Sequence, residues 1–342
     1  MDTYNQAMNY HSPKYSVPSS SRKQPALLNL IKGRPVLAIF EFTLMCNSAC
    51  GYCDLPLNQK RYELGRAEIK RIFTDLYRSG IRHIFIQGGE PLVRKDLPDV
   101  LEDLAALGFA LTLVTNGTRF TSELVARLAK LPVSISVSLD TLNRERYQRI
   151  RGRDQLPQVL AGLELLKDFP NPKHLTCIVS EQNCHDVEEM AGFARARGFT
   201  PIIGAYHWDV LAYGKADAEL IYERETVAAV FKDLLTSNAV PRGYVRNYAK
   251  DNLRWLEGKK LNACDAGKYS IAIDASGKVS ACLAMPQAGN LRQQNLDQIL
   301  RSLDRTAIKD CSDQSSCNIL CSRVVGSKLR HPLANYLGKP SV

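Results

Sequence analysis

Cys46, Cys50 and Cys53, in the stretch Met45-Cys46-Asn47-Ser48-Ala49-Cys50-Gly51-Tyr52-Cys53-Asp54, are spaced so that one loop can fold three thiolates around an inorganic centre. A structural zinc site closes on four ligands, and a simple electron-carrying four-iron cluster also takes four cysteines. Three thiols with no local fourth leave one iron open to an outside ligand, and an open iron implies chemistry. A zinc knuckle completed from elsewhere, or three unrelated buried thiols, is the competing reading. Downstream, Gln87-Gly88-Gly89-Glu90-Pro91 sets a carboxylate after two glycines. Without Cβ atoms the glycines let backbone approach a ligand closely, and Glu90 can accept from an ammonium group.

A second set of thiols, Cys264, Cys282, Cys311, Cys317 and Cys321, occupies the last quarter of the chain. Asp274-Ala275-Ser276-Gly277 turns a hairpin between the first two, and Cys311-x5-Cys317-x3-Cys321 follows a helical stretch. Structural thiols or a zinc ribbon is the plainer alternative. Cys177 and Cys184 read as small buried hydrophobes. Neither they nor His174 and His185 are given a role.

These groups need a frame. Apolar runs at Val36–Phe42, His83–Gln87, Ala110–Thr115, Val133–Leu139, His174–Ser180 and Thr200–Tyr206 read as strands. Amphipathic stretches at Arg66–Ser79, Leu97–Leu107, Ser122–Lys130, Leu156–Lys167 and Asp186–Arg197 separate them. Strands joined by helical crossovers make a parallel sheet, either a barrel-like wall or a doubly wound sheet. Both gather chemistry at the carboxyl ends of the strands. A mainly helical stretch follows, then two short strands, Tyr269–Ile273 and Lys278–Cys282, and a helix near Leu296–Leu303. The expected division is a tail over 1–24, a core over 25–207, a helical connector over 208–263, a cysteine domain over 264–325 and a second tail over 326–342.

At 342 residues, with 45% hydrophobic and 23% charged residues, the composition excludes a disordered, collagen-like or coiled-coil chain. No apolar run is long enough to span a membrane. The N-terminus carries no signal-like segment and ten cysteines are too few for a disulfide scaffold, which places the chain in a reducing cytoplasm. The net charge of +10 favours anionic partners.

The CxxxCxxC arrangement with Tyr52 before its last cysteine, followed by Gly88-Gly89-Glu90-Pro91, resembles the radical S-adenosylmethionine (radical SAM) enzymes. Thr115-Asn116-Gly117 and Ser136-Val137-Ser138-Leu139-Asp140 are similar to that family too, in the expected order at strand ends. The resemblance implies an α/β fold, a partial (β/α)6 TIM-like barrel, with a [4Fe-4S] cluster on Cys46, Cys50 and Cys53 and S-adenosyl-L-methionine on its open iron. By the same resemblance Gly88, Gly89 and Glu90 meet the methionine amino group, and Tyr52 lies near adenine. Ser138, with Ser136 or Asp140, approaches ribose or carboxylate, and Ile178 walls the adenine. Arg151 is expected on the methionine carboxylate, because a guanidinium suits a bidentate contact.

The second cysteine set resembles the SPASM and twitch extensions of that family, a small α+β domain for auxiliary iron–sulfur clusters. It departs from the full pattern. Ile308 stands where a further cysteine would precede Cys311, and none follows Cys321. The remaining thiols cannot fully ligate two four-iron clusters, so one auxiliary cluster is expected, on Cys264, Cys282 and two of Cys311, Cys317 and Cys321.

Substrate signals are thinner. Arg242, Arg246, Lys250 and Arg254 recur every four residues and would line one helix face, as a solvated row or an anion site. His207 and Asp209, after the sixth strand, are candidates to handle a substrate proton. The reaction implied is hydrogen abstraction from a substrate carbon, an oxidation or rearrangement of a small molecule, because the short stretch before the first strand leaves no room for a peptide-binding domain. Peptide maturation by thioether formation, carbon–carbon bonding or epimerisation is the alternative, and an iron–sulfur electron-transfer module the non-enzyme one. A flavodoxin- or ferredoxin-like donor supplies electrons. Dispersed basic residues and no visible RNA-binding module argue against a nucleic-acid partner.

Overall fold

A computed structural model describes residues 26–58, 61–208, 217–237 and 239–331. Asp209 lies outside the described residues, as do both chain ends.

Six strands, β1 (Leu37–Thr43), β2 (His83–Gly88), β3 (Ala110–Thr115), β4 (Val133–Ser138), β5 (Lys173–Val179) and β6 (Thr200–Ala205), pair in parallel in chain order. After a first short helix, α1 (Ala26–Ile31), the crossovers are α2 (Arg66–Arg78), α3 (Leu97–Leu107), α4 (Ser122–Leu128), α5 (Arg144–Arg151), α6 (Leu156–Leu165) and α7 (Val187–Ala196). Alternation sorts the strand residues. Phe40 and Phe42 of β1 point to the helix layer, where Phe40 meets Phe73 of α2 at 4.9 Å between ring centroids. Leu37 and Ile39 point the other way and pack with Val324 and Cys321 from the end of the chain.

The connector forms α8 (Arg224–Thr236) and α9 (Tyr244–Leu256). Asn252 of α9 is fully buried, and its side-chain oxygen accepts from Ala205 N of β6 at 3.0 Å, satisfying a donor at the open edge of the sheet. The basic row is not one face: α9 begins after Gly243, leaving Arg242 outside it. Arg246 donates at 2.5 Å to the carbonyl of Leu235 in the last turn of α8, and Arg254 at 2.7 Å to that of Lys260 just past α9.

The cysteine region does not stand apart. β7 (Ser270–Ile273) pairs in parallel with β1, and β8 (Lys278–Ser280) and β9 (Gln287–Asn290) follow antiparallel, giving one sheet of order β6-β5-β4-β3-β2-β1-β7-β8-β9. The hairpin turn is held by Asp274, whose Oδ1 accepts from Ser276 N and Lys278 N at 2.9 Å, with Gly277 at φ +87°. Helices α10 (Leu296–Arg301), α11 (Arg305–Asp313) and α12 (Val324–Arg330) complete the region. Helix α12 occupies sequence read as a tail, because Val324 and Ser327 bury against the inner face of the sheet and α9. No helix among the described residues is long and apolar enough to cross a membrane.

Candidate active site

The three clustered cysteines leave the carboxyl end of β1 in a loop held from several sides. The Glu63 carboxylate accepts from Thr43 Oγ1 and Leu44 N at 3.0 and 2.6 Å. Gly89 N and Glu90 N donate to the carbonyls of Thr43 and Met45, both at 2.7 Å, and Ala49 N donates to Arg151 O at 3.0 Å. A Cβ on Gly88 would overlap the Thr43 carbonyl, one on Gly89 the Met45 carbonyl, and one on Gly152 the Ala49 carbonyl. The close approach these glycines permit is therefore to the cysteine loop itself.

Glu90 is 1% exposed, and three donors occupy its carboxylate: Thr115 Oγ1 at 2.6 Å, Asn116 N at 2.6 Å and Leu92 N at 3.0 Å. It ties the ends of β2 and β3 together. Asn116 Nδ2 in turn donates to Asn47 Oδ1 at 2.8 Å and Ser48 Oγ at 3.1 Å inside the loop. Thr115-Asn116-Gly117 is thus a brace for the thiols.

The thiols are close enough for each to feel the others' charge. Burial pushes Cys46 upward and Cys53 up to about 12, while Ser48 N lies 3.4 Å from Cys46 Sγ, a fixed donor that suits a thiolate. The cation facing Cys46 and Cys50 is Arg151, 6% exposed, whose Nη2 pairs with the fully buried Asp140 at 2.6 Å. Its Nε and the nearby Tyr147 hydroxyl have no hydrogen-bond partner among the described residues. Asp140 Oδ1 accepts from Ile178 N at 2.9 Å, which joins β4 to β5 at this spot. The Tyr52 ring lies tilted at 45° to that of Tyr206, their centroids 5.9 Å apart. Ser136 Oγ is 2.8 Å from Thr176 Oγ1, and Ser138 ends β4 half-buried.

Four thiols of the C-terminal set, Cys264, Cys282, Cys317 and Cys321, each feel the other three. Cys311, on α11, acts on Cys264 and Cys317 and is not among the charges that weigh most on Cys282 or Cys321. Burial pushes Cys282 and Cys321 up to about 12 and Cys317 to about 11. Among the described residues, no group of three or more His, Cys, Asp or Glu could hold a single metal ion. A four-iron cluster makes a different demand, because each thiolate meets its own iron.

The Radical SAM superfamily pattern matches residues 40–194, and the SPASM pattern, described as an iron-sulfur cluster-binding domain, matches residues 264–322. The chain belongs to the radical SAM superfamily. The two matched segments are those that carry the [4Fe-4S] cluster with S-adenosylmethionine and the auxiliary iron–sulfur site. The chain is 30% identical over 261 residues to the mycofactocin maturase MftC of Mycolicibacterium smegmatis, covering 72% of this chain and 64% of that protein. It is 26% identical over 280 residues to the PqqA peptide cyclase of Rhizobium meliloti, covering 77% of this chain and 71% of that protein. Its fold matches Streptococcus suis SuiB bound to precursor peptide SuiA with a TM-score of 0.64 at 16% identity, covering 84% of this chain and 70% of that one.

In this radical SAM chain the two cysteine sites face one interior. The turn residue Ala275 packs with Leu44, Leu55 and Cys53, and its carbonyl accepts from Leu64 N at 2.8 Å, so the SPASM hairpin lies against the radical loop. On the inner face of β1, Ile39 shares a cluster with Cys321, and Glu41 is the next residue on that face toward Cys46, about 7 Å further on. Glu41 is 8% exposed and forms no hydrogen bond or ion pair with the described residues. Burial, with Asp274 and Asp54 nearby, raises it to about 7. Sequence reading passed over it, since one Glu inside Val36–Phe42 looks like a strand residue; the signal was its parity with Leu37 and Ile39.

His207 follows β6, its ring 4.0 Å from that of Trp255 and against the Asn318 backbone. Burial lowers it to about 3, so it is neutral.

Proposed function

We propose that Cys46, Cys50 and Cys53 hold the four-iron cluster, that Cys264, Cys282, Cys317 and Cys321 hold one auxiliary cluster, and that the chain abstracts hydrogen from a peptide. The observation that carries this reading is the three-thiol loop: two glycines and Glu90 brace it, Arg151 faces it, and among the described residues no fourth thiol joins it. When bound, the cluster and S-adenosylmethionine supply one-electron cleavage of the sulfonium and a 5′-deoxyadenosyl radical able to take hydrogen from an unactivated carbon.

The chain's own residues do the rest. Arg151, oriented by Asp140, offers its free Nε toward an anionic group at the triad. Tyr52 and Ile178 provide apolar surface beside it. The buried inner face of β1 to β6 excludes water, and Glu41 meets whatever lies between the two cysteine sites. His207 is the further polar group at the end of β6. A flavodoxin- or ferredoxin-like protein fits as the reductant.

A peptide is favoured over the small molecule expected from sequence by the peptide cyclase among the relatives matched across most of this chain, while the AdoMet-dependent heme synthase of Methanosarcina barkeri, matched over a similar share, keeps the small molecule as the second reading. The test is anaerobic incubation of reconstituted protein with S-adenosylmethionine, reductant and a short peptide encoded beside its gene. The reading predicts 5′-deoxyadenosine and a peptide mass change, both lost in Cys50→Ala. Deoxyadenosine formed by Cys50→Ala would refute the ligand assignment; an unchanged peptide alongside a converted small molecule would restore the other substrate class.

A further inference from the structure

Arg323 is 3% exposed and forms no ion pair among the described residues. Its Nη1 donates to Asn262 O at 2.6 Å and its Nη2 to Cys317 O at 3.0 Å, so the guanidinium is clamped between the segments that carry Cys264 and Cys317. Its Nε has no hydrogen-bond partner among the described residues. Asp251 and Asp265 feel its charge without pairing with it, and Cys264 and Cys317 feel it too. A buried cation with no counter-ion is a heavy cost to a fold unless an anion arrives beside it.

Two more polar groups stand here. Asn318, fully buried beside Cys317, has both its amide nitrogen and its amide oxygen unpartnered among the described residues. His207 turns its ring against the Asn318 backbone. Orphaned polar atoms on both Arg323 and Asn318, five residues apart in the chain, are more than chance leaves in one spot of a native interior.

We propose that Arg323 is the built-in counter-cation of the auxiliary iron–sulfur cluster, and that Arg323, Asn318 and His207 together raise its reduction potential, making it an electron acceptor for chemistry in the barrel. A cluster held by four thiolates is anionic, and reduction makes it more so. A fixed cation and N–H donors at its edge therefore favour the reduced form. Arg323 and Asn318 come with the cysteine segment and His207 from the end of β6, so the acceptor is poised where the barrel meets the SPASM domain. These are positioning residues and do no chemistry on substrate. The inference rests on the four-thiol assignment above.

The test is a redox titration, followed by electron paramagnetic resonance, of the auxiliary signal in anaerobically reconstituted full-length protein, with iron counted for each variant. Arg323→Lys should keep the wild-type midpoint; Arg323→Gln should lower it or lose iron from this site alone. Asn318→Leu, which deletes a side chain with no protein partner, should fold, retain its iron and lower the midpoint. Wild-type midpoint and iron in both Arg323→Gln and Asn318→Leu would overturn the inference while leaving the four-thiol assignment standing. Iron for one cluster only in the wild type would overturn that assignment and the inference with it.

Discussion

Arg151 Nη2 reaches Asp140 Oδ2 across 2.6 Å in the interior, and the Arg151 carbonyl accepts from Ala49 between the first two cysteines of the triad. One residue thus connects the end of β4, the end of α5 and the three-cysteine loop.

Asp140→Asn leaves the guanidinium buried without its anion. Breaking one partner of such a pair costs on the order of 3–5 kcal/mol. The expected result is a clearly lower thermal midpoint, with iron lost from the radical site before the auxiliary one. Calorimetry and iron analysis on the same preparation check it, and a midpoint within error of wild type would contradict the role given to the pair.

Gly89→Ala puts a Cβ into the Met45 carbonyl, whereas Gly192 in α7 has open space around it. The first change should abolish cluster incorporation at the triad. Gly192→Ala should retain the cluster and gain up to about 1 kcal/mol from helix propensity. Visible absorption and thermal unfolding separate the two.

The pair explains what sequence could and could not show. The six parallel strands and their crossovers were legible because each is a compact apolar run between amphipathic stretches. The pairing of Ser270–Ile273 with Leu37–Phe40 was not, since no local pattern records a contact more than two hundred residues apart in the chain. The triad was legible from spacing alone. Glu90 was found as a site residue, but its three donors make it a brace, a fact that depends on where Thr115 and Asn116 land. Glu41 and Arg323 stayed hidden because an unpaired buried charge shows itself only once its surroundings are known.

Glu41 gives a pH test. Its folded-state value of about 7 lies above the ordinary 4.5, so the folded chain binds the proton more tightly. Stability is full below about pH 4.5 and is lost as pH rises through 7, by at most roughly 3 kcal/mol. Glu41→Gln should match wild type near pH 5 and exceed its thermal midpoint at pH 8. Equal midpoints at both pH values would contradict the unpaired carboxylate.

Cys311 and Cys317 differ although both belong to the C-terminal set. Cys317→Ala should lower iron by about one four-iron cluster, and Cys311→Ala should leave iron unchanged. The reverse pattern would show that α11 supplies the fourth ligand.

The open iron can be observed directly. Electron–nuclear double resonance on the reduced, reconstituted protein with S-adenosylmethionine labelled at its methionine nitrogen and carboxylate reads contact between cofactor and cluster. The account predicts hyperfine coupling to both labels in wild type and in Cys317→Ala, which keeps the triad. A reduced triad cluster that shows no coupling to either label would contradict the vacancy at Cys46, Cys50 and Cys53.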